Sequence, residues 1–286
     1  MSSASIQTIL KHHSKQLEAA LNLGPDSARI EVQCLLQAVL QVNRAWLLSH
    51  PEHSLTTEQH EQYLALFGRR LSGEPIAYLL GEREFYGLIF KVSPATLIPR
   101  PETELLVELA LQRIPQQGTC RVLDLGTGSG AIALSIAHAR PNANVIAVDA
   151  SAAALQVAQF NMQRLGLSNV RLSHSDWFSA LHGERFDMIV SNPPYIAAGD
   201  AHLMQGDVRF EPRTALASGA DGLDDIRRIT AQAKGHLSNN GWLLVEHGYS
   251  QAAQVRAQLQ HTGFTGVFSE CDLAGIERVS GGSCSA

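Results

Sequence analysis

The chain has 286 residues, of which 45% are hydrophobic and 17% charged, and its formal net charge is −5. That length accommodates one large domain and a small one around a sizeable core, and an acidic balance with no basic run longer than Arg69-Arg70 argues against a dedicated nucleic-acid binder. Cys34, Cys120, Cys271 and Cys284 form no C-x-x-C pair and no histidine cluster joins them, so no metal site is expected and a reducing compartment is.

Met1-Ser2-Ser3-Ala4 leads into a polar segment, not an apolar signal core. No stretch approaches the roughly 18 apolar residues of a membrane span, so a soluble, cytoplasmic protein without membrane contact is expected. Residues 5–72 read as helices. Ile6, Ile9, Leu10, Leu17 and Leu21 share one face of the first, and His12-His13 reads as a solvated part of it. Gly24-Pro25-Asp26 breaks the chain, with Asp26 as cap of a second helix carrying Ile30, Cys34, Leu35 and Val39. Thr56 and Gln59 form a capping box before a helix with Tyr63, Leu64, Phe67 and Leu71. Nothing in this bundle, taken as residues 1–74, looks catalytic. Glu84-Phe85-Tyr86-Gly87-Leu88-Ile89-Phe90-Lys91-Val92 reads as a hairpin inside a linker over 75–96.

From residue 97 the pattern becomes that of a catalytic domain running to 280. Pro99-Arg100-Pro101-Glu102-Thr103-Glu104 opens a helix, with both acids where the dipole favours them. Strands over 121–125, 144–149, 169–173, 185–190 and 241–246 alternate with helices over 131–139 and 152–165, which implies an α/β fold with a parallel sheet covered on both faces. Ser280-Gly281-Gly282-Ser283-Cys284-Ser285-Ala286 reads as a loose tail, with 281–286 flexible.

Two loops carry the chemistry. Gly126-Thr127-Gly128-Ser129-Gly130 joins the strand Arg121–Leu125 to a helix, a unit suited to a nucleotide cofactor. Asp149 ends the next strand, about 20 residues on, where a carboxylate accepts from a ribose diol. The loop also matches a dinucleotide fingerprint, but its third glycine comes one residue early. Asp124 suits an ammonium group better than a pyrophosphate, so S-adenosylmethionine is favoured over NAD. The second loop is Asn192-Pro193-Pro194-Tyr195, at the end of Phe186–Val190. Two prolines remove two donors and hold an extended turn. The Asn192 amide and nearby carbonyls are then presented as acceptors for a flat NH2 group beside a planar Tyr195. The same tetrapeptide also suits an ordinary strand-ending turn. Gly126, Asp149 and Asn192 all sit at the carboxyl ends of strands, where such sheets bind ligands.

These loops, with Gly73-Glu74-Pro75-Ile76-Ala77-Tyr78, Leu97-to-Glu104, Ser175-Asp176-Trp177-Phe178, Phe210-Glu211-Pro212-Arg213 and Glu246-His247-Gly248, resemble the PrmC/HemK family, methyltransferases that modify a glutamine of peptide chain release factors. The resemblance implies a Rossmann-like class I methyltransferase domain with a seven-stranded, mostly parallel sheet and a small N-terminal helical bundle that recognises substrate. It implies methylation of the side-chain amide nitrogen in the Gly-Gly-Gln motif of class 1 release factors, by a monomer without direct nucleic-acid contact. The cofactor-binding residues would be Gly126, Thr127, Gly128, Ser129, Gly130, Asp149, Trp177 and Asn192, with Asn192, Pro193, Pro194 and Tyr195 holding the substrate amide. Trp177 would lie near the adenine, against the alternative of a core tryptophan. Arg100 and Glu102 would line the site entrance or be ordinary surface charges, and Glu211 with Arg213 would form a structural ion pair. A glutamine on a ribosomal protein is an alternative substrate. Two further readings are an adenine amino group on nucleic acid and a binding module that keeps only the fold.

Overall fold

The hydrophobic pattern divides the chain, and the computed structural model, which describes residues 5–285, divides with it into two units. Met1–Ala4, expected to lead into a polar segment and not an apolar signal core, and Ala286 lie outside the described residues.

The first unit runs to Gly81 and includes Met204–Phe210. Its helices are α1 (Ile6–Leu21), α2 (Pro25–Leu40), α3 (Arg44–Ser49), α4 (Thr57–Leu71) and α5 (Ile76–Leu80). Ile6, Ile9 and Leu17 of α1 are buried as their spacing predicts. His13 is not simply solvated: its ring stacks on Phe67, centroids 4.3 Å apart, and Nδ1 bonds the Tyr63 hydroxyl at 2.9 Å. Asp26 does not cap α2. Pro25 takes the first helical position, its fixed φ and missing N–H suiting it there, and Asp26 falls within the first turn. The buried face of α2 is Ala28, Val32, Leu35 and Leu36, leaving Ile30 48% exposed. The Thr56/Gln59 capping box forms, with reciprocal bonds of 3.0 and 3.2 Å. Tyr63 and Phe67 are buried, while Leu64 and Leu71 stay partly exposed. Arg70 is almost wholly buried, bonding Glu31 at 2.6 and 3.2 Å and both the Glu74 carbonyl and Asp207 at 3.0 Å. That cation ties Met204–Phe210 into the unit.

In the second unit a hairpin of β1 (Glu82–Phe85) and β2 (Leu88–Lys91) turns through Tyr86 and Gly87, both at positive φ, as a tight two-residue turn requires. The hairpin, expected as a linker, is fastened within this unit. Asn161 brackets Lys91 with bonds to its N–H (2.7 Å) and carbonyl (3.0 Å), and Glu104 accepts from Tyr86 N at 2.9 Å. A 3-10 turn, Pro101–Thr103, leads into α6 (Glu104–Arg113). Then come β3 (Cys120–Leu125), α7 (Ala131–Ala139), β4 (Ala143–Asp149), α8 (Ala152–Arg164), β5 (Val170–His174) and β6 (Phe186–Ser191). The rest is α9 (Asp224–His236), β7 (Leu237–Glu246), α10 (Ala252–His261), β8 (Thr265–Cys271) and β9 (Glu277–Ser283). The seven-stranded sheet has the order β5-β4-β3-β6-β7-β9-β8, parallel except that β9 runs antiparallel to both neighbours.

Side chains alternate across the sheet. Val122, Val145, Ala147, Met188 and Val190 pack with α6 and α7, whereas Leu123, Leu125, Ile146, Val148 and Ile189 pack with α9 and α10. Each such buried Val, Leu, Ile or Met side chain contributes about 1.5–3 kcal/mol through removal from water. The expected loose tail is wrong. Ser280–Ser283 belong to β9, between β7 and β8, with Val279, Ser280, Gly281 and Gly282 buried. A Cβ on Gly281 would lie 2.5 Å from Leu244 Cδ2 and 2.7 Å from the Leu243 carbonyl oxygen, so the small residues that imitate a linker are what this crowded strand requires.

Candidate active site

The register of the parallel strands brings the two loops together. Leu125 pairs with both Val148 and Ser191, so the residues following β3, β4 and β6 emerge along one edge. Gly126 N and Thr127 N both bond the Val148 carbonyl at 2.9 Å, prolonging the ladder into the loop. Gly126, Gly128 and Gly130 all have positive φ, which glycine adopts without a Cβ penalty. Gly130 precedes α7 closely enough that a Cβ would stand 2.9 Å from Leu134 Cδ1. Asp149 is held by the backbone: Oδ2 accepts from Gly128 N and Oδ1 from Ser151 N, each at 2.8 Å. Each oxygen keeps a further lone pair.

A cavity of about 540 Å³ opens at this edge, within the size range of about 300–1,000 Å³ usual for small-molecule sites. Gly126, Thr127, Gly128, Ser129, Asp149, Trp177, Asn192 and Pro194 line it, together with Arg100, Thr103, Asp225 and Arg228. Gly130, Pro193, Tyr195 and Glu102 do not. Trp177 sits at positive φ with its ring edge near Gly126, and its indole N–H donates to Asp225 at 3.2 Å. Arg228 grips Asp176 with two bonds, 3.0 and 2.6 Å. The start of α9 thus braces the Asp176-Trp177 turn.

Asn192 follows β6, where Ser191 Oγ bonds the Leu125 carbonyl at 2.8 Å. Asn192 Nδ2 donates to Thr103 Oγ1 at 3.1 Å. Tyr195 turns away from the cavity, its hydroxyl donating to Glu246 at 3.3 Å and its ring packing on the core. The Tyr195 carbonyl accepts from Gln251 at 3.0 Å, which pins the loop. Glu211 pairs with Arg100 and accepts from Ile98 N at 3.0 Å. Arg213 instead donates to the Ala198 carbonyl at 3.4 Å, so the expected Glu211–Arg213 pair gives way to Glu211–Arg100. Residues two apart in sequence point along different parts of a turn, and the buried carboxylate takes the cation that the fold brings to it.

Two buried acids border the site. Burial raises the Asp124 carboxyl to about 7; the Thr127 hydroxyl (2.7 Å) and the Ala133 N–H offset part of this, and the Asp149 charge adds to it. Burial likewise raises Glu246 to about 7, against the hydroxyls of Thr103 and Tyr195 and the charge of Arg278, with Glu102 adding to the rise. Thr103, Glu246, Asp225, Arg228 and Gln251 carry no spacing signal toward Asn192 or Trp177. Thr103 and Glu246 lie inside motifs of the sequence, but only the sheet joins them. Among the described residues no group of three His, Cys, Asp or Glu is placed to hold a metal ion, and no helix is long and apolar enough to cross a membrane.

The PrmC N-terminal domain family matches residues 8–81 and the methyltransferase small domain family matches 102–209. The release factor glutamine methyltransferase of Xylella fastidiosa (strain 9a5c) is 51% identical over 256 residues, covering 90% of this chain and 93% of that protein. This chain belongs to the release factor glutamine methyltransferase family. The family member of Escherichia coli K12 is 49% identical, over 95% of this chain and 96% of its own. That of Pseudomonas aeruginosa is 53% identical, over 90% and 93%. Solved structures share the fold alone. A Pyrococcus furiosus methyltransferase covers 77% of this chain and 98% of its own (TM-score 0.54, 19% identity). A Thermus thermophilus 16S rRNA methyltransferase in complex with AdoMet and guanosine covers 71% and 49% (TM-score 0.52, 23% identity). The family sequences and the class I fold make the chain a methyltransferase.

Proposed function

We propose that this enzyme transfers the methyl group of S-adenosylmethionine to the side-chain amide nitrogen of a glutamine in the Gly-Gly-Gln motif of a peptide chain release factor. The observation that carries this reading is the Asn192 amide, whose NH2 is engaged by Thr103 so that its oxygen is left to accept, on the same cavity edge as the glycine loop. The cavity suits the cofactor. No atom stands within 4 Å of where a Cβ on Gly128 would be, which leaves room for a ligand against the backbone. Asp149 retains lone pairs for a ribose diol, and Trp177 offers an aromatic wall.

When bound, the cofactor supplies an electrophilic methyl on a sulfonium. Gly126, Gly128 and Ser129 would hold its methionyl side, Asp149 its ribose and Trp177 its adenine side. An amide nitrogen is a poor nucleophile because its lone pair is shared with the carbonyl. Accepting both N–H hydrogens, through Asn192 Oδ1 on the cavity wall and the Pro193 carbonyl, which lies outside that lining and would be met by a substrate entering from beyond it, orients that nitrogen and stabilises positive charge as it develops. Transfer would exchange the methyl's bond to sulfur for one to the substrate nitrogen. The nitrogen then loses one proton to solvent, so no strong base is needed beforehand. Pro194 holds the turn, and Tyr195 fixes it from below through Glu246. Holding both reactants in near-attack geometry contributes several kcal/mol of the roughly 7–11 available to orientation. Two glycines before the substrate glutamine let a slim backbone enter over Asn192.

Mass spectrometry of purified release factors and ribosomal proteins, after incubation with the enzyme and isotopically labelled S-adenosylmethionine, tests this. One labelled methyl on the Gly-Gly-Gln peptide is expected, falling by about 10²–10³ in rate with Asn192→Ala. Label on a ribosomal protein alone overturns the substrate assignment. Label on added DNA or RNA but on no protein overturns the amide reading.

A further inference from the structure

We infer that Asp225 is a positioning residue for cofactor binding, which holds the Trp177 indole as a fixed wall of the cavity before the ligand arrives. The inference rests on the reading of Trp177 as the adenine-side wall. A flat ligand gains most from an aromatic wall when the ring already stands in the right plane. Otherwise part of the binding free energy goes into ordering that side chain.

The Trp177 backbone is fixed by its own turn. Its φ is +50°, a rare conformation for a bulky residue, which the surroundings must impose. Ser175 Oγ donates to the Trp177 carbonyl at 2.8 Å and accepts from Ala180 N at 3.0 Å. Packing holds the ring less firmly. Trp177 is half-buried, and a Cβ on Gly126 would still fit at 3.4 Å from Cζ3 and 3.6 Å from Cη2. With glycine there, the benzo edge has room to rock. The indole's one donor, Nε1–H, lies at the other end of the ring and meets Asp225 Oδ1 at 3.2 Å. With one donor and one bond, the ring plane is set by Asp225.

Asp225 is itself held in place. It lies in the first turn of α9, where the helix dipole favours a carboxylate. Its N–H donates to the Oγ of buried Ser218 at 2.8 Å, and Ser218 N donates to the Ile196 carbonyl at 2.9 Å. Arg228 stands three residues on, along the same helix face, and holds Asp176 through both carboxylate oxygens. Asp225 and Arg228 both line the cavity. One face of α9 therefore grips two consecutive residues, Asp176 by its carboxylate and Trp177 by its ring.

The test uses full chains and isothermal titration calorimetry with S-adenosylmethionine. It compares wild type, Asp225→Ala, Asp225→Asn, Trp177→Phe, Trp177→Ala and the double variant Asp225→Ala with Trp177→Phe. Asp225→Ala should raise the Kd about 3- to 10-fold, the scale of immobilising one side chain. Asp225→Asn keeps an acceptor oxygen and should restore most of the affinity. In the Trp177→Phe background, which has no indole N–H, Asp225→Ala should change the Kd by less than about twofold. In the ligand-free protein the Trp177 indole N–H, identified by NMR as the resonance missing from Trp177→Phe, should exchange with solvent faster in Asp225→Ala than in wild type. An unchanged Kd in Asp225→Ala, an asparagine variant as weak as the alanine one, an equal loss in the phenylalanine background, or an unchanged exchange rate would overturn the positioning role. Should Asp225→Ala fail to fold, Asp225→Leu, which keeps the bulk, carries the same comparisons. A wild-type Kd in Trp177→Ala would instead refute the cofactor reading of Trp177 and the clamp with it. Weaker binding by Trp177→Ala with wild-type affinity in Asp225→Ala would refute the clamp alone.

Discussion

Gly281→Ala is the perturbation that most directly separates a loose tail from a sheet strand. In β9 Gly281 pairs with Leu244 on one side and Phe268 on the other. The added methyl would stand 2.5 Å from Leu244 Cδ2, 2.7 Å from the Leu243 carbonyl and 3.1 Å from Phe268 Cε1. The leucine methyl can rotate away, but the carbonyl belongs to the neighbouring strand and moves only if β7 and β9 part. Position 281 has no positive φ, so alanine brings no backbone strain and the whole effect is overpacking. Overpacking of this kind costs about 1–3 kcal/mol, and the rigid backbone neighbour favours the upper half of that range. For a unit of this size 2–3 kcal/mol lowers the thermal midpoint by about 4–12 °C. Urea unfolding followed by circular dichroism, alongside a thermal melt, measures it. A change within about 0.5 kcal/mol, the scatter of surface substitutions, would mean that residues past 280 are not part of the sheet.

Asp149→Asn should weaken S-adenosylmethionine binding about 10- to 100-fold, since a charge-assisted bond is worth about 1.5–3 kcal/mol; isothermal titration calorimetry giving an unchanged Kd would refute its ribose role. Glu246 is raised from 4.5 to about 7 by burial, so the folded state binds its proton more tightly than the unfolded state, and its contribution to stability falls as pH rises through that interval. The unfolding free energy of Glu246→Gln relative to wild type should therefore rise between pH 5 and 8, by up to about 3 kcal/mol; urea titrations showing a constant difference would exclude a raised Glu246. Arg70→Ala leaves the partly exposed Glu31 and Asp207 without their shared cation, a loss of about 1.5–3 kcal/mol, the scale of a charge-assisted hydrogen bond. Limited proteolysis should then cut first within Met204–Phe210, and an unchanged cleavage pattern and melting curve would count against that anchoring.

The sequence by itself determined the α/β fold class, the capping box at Thr56, the existence of a hairpin around Gly87, and the edge on which Gly126, Asp149 and Asn192 meet. These are local matters of periodicity, turn chemistry and strand ends, and they are written in consecutive residues. Tertiary structure decided which helical stripe of α2 is buried, that Gly281 lies inside the sheet, that Arg100 and not Arg213 neutralises Glu211, and that Tyr195 faces Glu246 instead of the cavity. In each case the deciding neighbour is remote in sequence: Thr103 is 89 residues from Asn192, and Tyr195 is 51 from Glu246. Strand order and register, which no local pattern encodes, bring these groups within hydrogen-bonding reach.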